Sequence, residues 1–121
     1  MIMRLGLLFA ILSLPIAAPA ATRETKDATP KGNPSSWFKK KDYPSEAKRN
    51  NQRGRVAIVL QVSKKGVPTS CAVNASSGSV SLDAATCRLA MERGRFRPAL
   101  TDGHAVEGRY ALGMFWTLND Q

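Results

Sequence analysis

Few residues in this chain could do chemistry. Its 121 residues include one histidine, two cysteines and nine carboxylates. A four-ligand Cys/His zinc site needs more histidine and cysteine than that. His104 follows Asp102-Gly103 with no further ligand beside it, and it reads as a loop histidine. Ser79 and Ser81 precede an apolar-periodic run, where a hydroxyl caps a helix, so neither reads as a nucleophile paired with a base. Asp83 and Glu92 belong to that same run. They fit a helix-dipole partner and a surface charge better than paired catalytic acids. No glycine pattern for nucleotide phosphates is present. The composition therefore points to a binding or structural domain, with no enzyme activity and no cofactor.

Charge is the one unusual global quantity, at +9. From Arg23 to Lys65 there are 12 basic and 4 acidic residues, and beyond Lys65 there are 5 of each. Lys39, Lys40, Lys41, Lys48, Arg49, Arg53 and Arg55 make up most of the excess. A solvated face is the plainest account. Attraction to anionic lipid or cell-wall polymer is the sharper one. Nucleic acid is not an expected partner, because aromatic residues are barely interleaved with the basic ones.

The first 20 residues resemble a secretory signal peptide: Arg4, an apolar run from Leu5 to Leu14, then Pro15 and Ala18-Pro19-Ala20 as a cleavage site. The rival reading is an uncut membrane anchor, at the short edge of spanning length. Export would place Cys71 and Cys87 in an oxidising compartment, where this single pair is expected to form a disulfide. Two buried free thiols are the alternative. Residues 21–36 hold Pro30, Gly32, Pro34 and scattered charge, and no apolar side chain larger than alanine. They read as a disordered leader before a domain over residues 37–121. Trp37-Phe38 would tack the leader down.

The elements that must position any site follow in order. Tyr43-Pro44 opens a short helix ending near Gln52, with Gly54 as its stop. Val56, Ile58, Leu60 and Val62 give one face of a strand. Lys64-Lys65-Gly66 turns the chain into a returning strand with Val67, Thr69, Cys71 and Val73 on one side, and Pro68 makes it an edge. Leu82, Ala85 and Leu89 mark a second helix, closed by Arg93-Gly94. Phe96 and Pro98 belong to an extended connector, and Asp102-Gly103 to a turn. A long last strand runs from Val106 to Leu118 and sets Trp116 and Phe115 on opposite faces, one in the core and one outside. The fold class is α+β: a small antiparallel three-stranded sheet, with room for a short extra strand, covered on one face by two helices.

These residues, in this order, resemble the TonB C-terminal domain family. The likeness rests on Tyr43-Pro44, Gly54-Arg55-Val56, Lys65-Gly66-Val67, Ser76-Ser77-Gly78, Leu82-Asp83-Ala84-Ala85 and Phe96-Arg97-Pro98 with the long last strand. It spans about Tyr43 to Leu118, and the cysteine pair is similar to a disulfide-bearing subset. The resemblance implies a periplasmic domain that takes part in energy-coupled transport across the outer membrane. The domain would grip an extended plug segment of a TonB-dependent transporter by strand addition. The implied receiving edge is Arg109, Tyr110, Ala111, Leu112 and Gly113, with Tyr43 and Pro44 near the same groove. Inner-membrane motor proteins are implied partners only if the first segment stays uncut as an anchor. Family members that transduce energy usually carry a long Pro-rich spacer; the 16-residue leader here reaches under ~60 Å when extended and is expected to fall short of crossing a periplasm. A structural envelope protein that homodimerises through the same edge, or holds cell-wall polymer, is the second expectation.

Overall fold

In β3 (Gly54–Val62), four branched apolar residues alternate with Arg55, Ala57, Val59 and Gln61, and this alternation decides the two faces of the central sheet. The structure is a computed structural model and describes residues 6, 8, 10–16 and 23–118. Val56, Ile58, Leu60 and Val62 are all buried. Full burial of such a side chain is worth about 1.5–3 kcal/mol. β3 is the middle strand, pairing antiparallel with β4 (Pro68–Ala75) on one side and β8 (Gly108–Trp116) on the other.

The buried face of β3 packs under α2 (Val80–Arg93), which presents Leu82, Ala85, Thr86, Leu89 and Ala90. Of the two candidate caps, Ser79 is the one used: its hydroxyl accepts from the Leu82 amide at 3.3 Å. Asp83 accepts from the Ser77 amide and hydroxyl at 2.9 and 2.7 Å, so it holds the loop before the helix as well as favouring the helix start. Cys71 on β4 and Cys87 on α2 form a disulfide, with their Cα atoms 5.7 Å apart. Thr86 is fully buried. Its Oγ1 donates to the Leu82 carbonyl and accepts from Trp116 Nε1 at 2.8 Å, which satisfies the buried indole.

The first helix, α1 (Ser45–Arg49), is shorter than its sequence pattern. It stops at Asn51, which takes φ 52° while the Gln52 amide donates back to the Ala47 carbonyl at 2.8 Å. The stop is therefore an asparagine in the left-handed region, ahead of Gly54. In β4 the expected side is displaced. Cys71 and Val73 lie opposite Leu60 and Ile58, but a register shift between Gln61 and Val62 makes Pro68, not Thr69, the partner of Val62. The extra residue turns Val67 and Thr69 outward.

Two further departures matter for the site. The leader over residues 23–36, expected to lack structure, is ordered. β1 (Thr25–Lys26) pairs with β6 (Ala99–Thr101), and β2 (Thr29–Pro30) pairs with β5 (Phe96–Arg97). Backbone bonds hold it: Asp102 N to Glu24 O at 2.8 Å and Lys31 N to Arg95 O at 2.8 Å. Ala28, only 3% exposed, fits beside Ala99 and the bare Gly108 because it is small. The long last strand is also split. β7 (His104–Val106) pairs with β6 across the Asp102-Gly103 turn, Glu107 interrupts, and β8 continues in the central sheet. The expected signal segment and its cut after Ala20 fall largely outside the described residues. Residues 10–16 form no regular element. Among the described residues no helix is long and apolar enough to cross a membrane.

Two 3-10 turns, Pro34–Trp37 and Lys40–Asp42, join the ordered leader to α1. Trp37 is buried edge-on to Phe96 at 5.7 Å, so it does anchor the segment. Arg93 clamps the second turn. Its Nη1 and Nη2 donate to the Asp42 carboxylate at 2.6 and 2.9 Å, and Nη1 also donates to the Trp37 carbonyl at 2.6 Å. These Arg93 hydrogen bonds, with help from the Lys39 amide, hold the Asp42 carboxyl at about 2, below its ordinary 3.8. Its stabilising contribution is complete above pH ~4 and is lost as pH falls through about 2. In acid titrations by circular dichroism, Asp42→Asn is expected to lose less stability than the natural protein between pH 4 and pH 2. After allowance for solvent screening, the difference is about 1 kcal/mol. Equal losses in the two proteins would show that the pair is energetically silent.

Candidate functional site

β8 is an edge strand. Every residue from Gly108 to Trp116 is matched to β3, Val62↔Gly108 through Gly54↔Trp116, and no strand lies on its other side among the described residues. An edge of nine residues offers a row of unpaired main-chain donors and acceptors. Its side chains alternate. Tyr110, Leu112, Met114 and Trp116 turn inward, while Arg109, Ala111, Gly113 and Phe115 are exposed. Trp116 is 2% exposed and Phe115 is 60%, so the tryptophan is the core member of the pair.

The ordered leader stands opposite this edge. A hollow of about 300 Å³ is lined by Asn33, Pro34, Ser35 and Phe38 on one wall and by Leu112, Gly113 and Met114 on the other. A second hollow, about 170 Å³, lies between Phe38, Lys39, Lys40 and Tyr43 and residues 114–117. Phe38 and Met114 line both, so the two form one groove along β8. The wall is stiff. Phe38 and Tyr43 stand edge-on to Trp116 at 6.0 and 5.3 Å, and the Tyr43 hydroxyl donates to the Gln52 carbonyl. Burial pushes the Tyr43 phenol up, so it stays a neutral donor.

The residues expected from the sequence are partly gathered here. Arg109, Tyr110, Ala111, Leu112 and Gly113 share the edge strand, but only Leu112 and Gly113 line the groove. Tyr43 lines it, whereas Pro44 sits at the start of α1 outside the lining. Sequence reasoning missed Asn33, Pro34 and Ser35 as one wall, and Phe38 and Met114 as the shared floor. The signal for Phe38 was its place beside the anchoring Trp37. Nothing in the composition of residues 33–35 marked them. His104 opens β7, exposed and away from the groove lining. Among the described residues no group of three or more His, Cys, Asp or Glu could hold a metal.

The leader side of the groove is basic at one end, where Lys39 and Lys40 line it. An open edge and a facing wall with a positive end can hold an extended backbone: main-chain bonds grip it, and alternate side chains choose it.

No curated protein matches the chain. The chain is similar in fold to the solution NMR structure of the Pseudomonas aeruginosa TonB CTD, with TM-score 0.54 and 24% identity, over 78% of this chain and 90% of that one. Residues 39–118 match the family model described as Gram-negative bacterial TonB protein C-terminal. That span takes in both helices, the whole central sheet and the strand side of the groove, and on it the chain belongs to the TonB C-terminal domain family.

Proposed function

We propose that this domain binds an extended segment of an outer-membrane transporter plug by adding it as a strand to β8. Family membership gives the coarser statement, a TonB-like role in energy-coupled transport. The single observation that supports the finer one is the nine-residue open edge of β8 facing a preformed groove. Arg109, Tyr110, Ala111, Leu112 and Gly113 supply the main chain for the guest. Tyr43 stiffens the groove wall, and Pro44 fixes where α1 begins behind it. The domain works in the periplasm after removal of a signal peptide, and it binds without catalysing a reaction. Motor proteins of the inner membrane enter only if the first segment is retained.

Amide shifts on adding a synthetic plug peptide test the reading. Shifts concentrated on residues 109–117 and on Phe38 are expected. A saturating peptide that moves amides elsewhere and spares β8 would refute strand addition. Equilibrium sedimentation of the protein alone, run beside it, should give a monomer; a dimer that dissociates on adding peptide would mean a second copy uses the same edge.

A further inference from the structure

Arg55 stands on the exposed face of β3, opposite Phe115 in the register. Its side chain does not stay over its own strand. A Cβ placed on Gly113 would lie 2.5 Å from Arg55 Nη2, 2.9 Å from Nε and 3.1 Å from Cζ. The guanidinium therefore fills the notch that a side chain at Gly113 would occupy, over the edge strand. No ion pair within the described residues takes it: the salt bridges there are Arg88–Glu92 and Arg93–Asp42. No acidic residue occurs in β3, β4 or β8, so the sheet itself offers no carboxylate.

We infer that Arg55, laid through the Gly113 notch, reads a carboxylate on the incoming strand. The inference rests on the strand-addition reading above. A strand added to β8 would lie about 4.8 Å away. Its residue opposite Gly113 would carry a Cβ about 5 Å from the notch, on the same face. One aspartate or glutamate there comes within reach of the guanidinium, whose fork can give a carboxylate two parallel charge-assisted bonds. The partner is thus an extended segment with an acidic residue at the outward position opposite Gly113. Gly113 has a defined part in this arrangement. Any larger residue would push the guanidinium off the edge.

Two synthetic decapeptides of alternating threonine and valine test this, identical except for one central glutamate or glutamine. An alternating peptide can slide in register until the glutamate meets Arg55. With the full-length protein, the glutamate peptide is expected to bind about fivefold tighter, the upper end for a partly exposed pair. Both peptides should move β8 amides. Arg55→Gln should erase the preference while β8 still responds. Gly113→Ala keeps every charge and displaces the guanidinium, so it should erase the preference too. Lys48→Gln removes one positive charge elsewhere and should keep it. Equal affinity of the two peptides for the natural protein, with β8 amides moving, would overturn the role of Arg55 and leave strand addition standing. A preference lost equally in Lys48→Gln would also overturn it, since net charge would then be the cause. Silence of β8 with both peptides would overturn both readings.

Discussion

Gly66→Ala is expected to lose about 3 kcal/mol or more, a fall in melting temperature of about 12 °C or more for a domain of this size. Two effects add. Gly66 has φ 79°, where a side chain costs about 1–2 kcal/mol. A Cβ would also overlap the Phe96 carbonyl oxygen, a backbone atom that cannot swing aside. That carbonyl belongs to the residue whose amide donates to the Gly66 carbonyl at 2.8 Å, so relief of the clash breaks the bond that docks β5 against the β3–β4 turn. The two effects can be measured apart. Gly32 and Gly103 also have φ 79°, but nothing lies within 4 Å of a Cβ there. Alanine at either should cost only the strain. Similar losses at all three positions, by thermal or denaturant unfolding, would show that the clash is absorbed.

Replacing both Cys71 and Cys87 by serine is expected to cost about 3 kcal/mol, the chain-entropy value for a loop of this length. The loss should be uneven. β4 pairs with β3 on one side only, and most of its residues are exposed, so beyond that ladder the bond to α2 is what ties it to the helix layer. In hydrogen exchange, β4 amides should lose protection well before those of β3 or α2. Uniform loss across the sheet would mean that β4 opens only with the whole domain. No loss in either measurement would mean that the bond is dispensable.

Sequence pattern disclosed the fold where periodicity is strong and side chains are large. β3 and α2 were readable because each buries one apolar row. The edge position of β4 was readable from Pro68. The break at Glu107 was not, because Val106 and Gly108 keep the same parity and the alternation runs straight through it. Thr86 was hidden for a related reason: a polar residue inside an apolar stripe shows its worth only when Trp116, 30 residues on, arrives beside it. The ordered leader was illegible because its stability comes from main-chain pairing and one small alanine, and compositional reasoning counts neither. For the candidate groove, the edge strand β8 could be read from the sequence and the facing wall could not. The Arg55–Gly113 notch joins two residues far apart in the chain, and neither is unusual alone.

The ordered leader also decides how the domain answers tension from upstream. Where the first segment is retained as an anchor, a pull on the chain before residue 23 reaches β1 and β2 first, and these are two residues long each. They can peel before the load arrives at the buried Trp37. Asn33, Pro34 and Ser35 lie within the length paid out, so a hard tug strips one wall from the groove while β8 stays whole. The groove along β8 is thereby walled on two sides at rest and on one under strain.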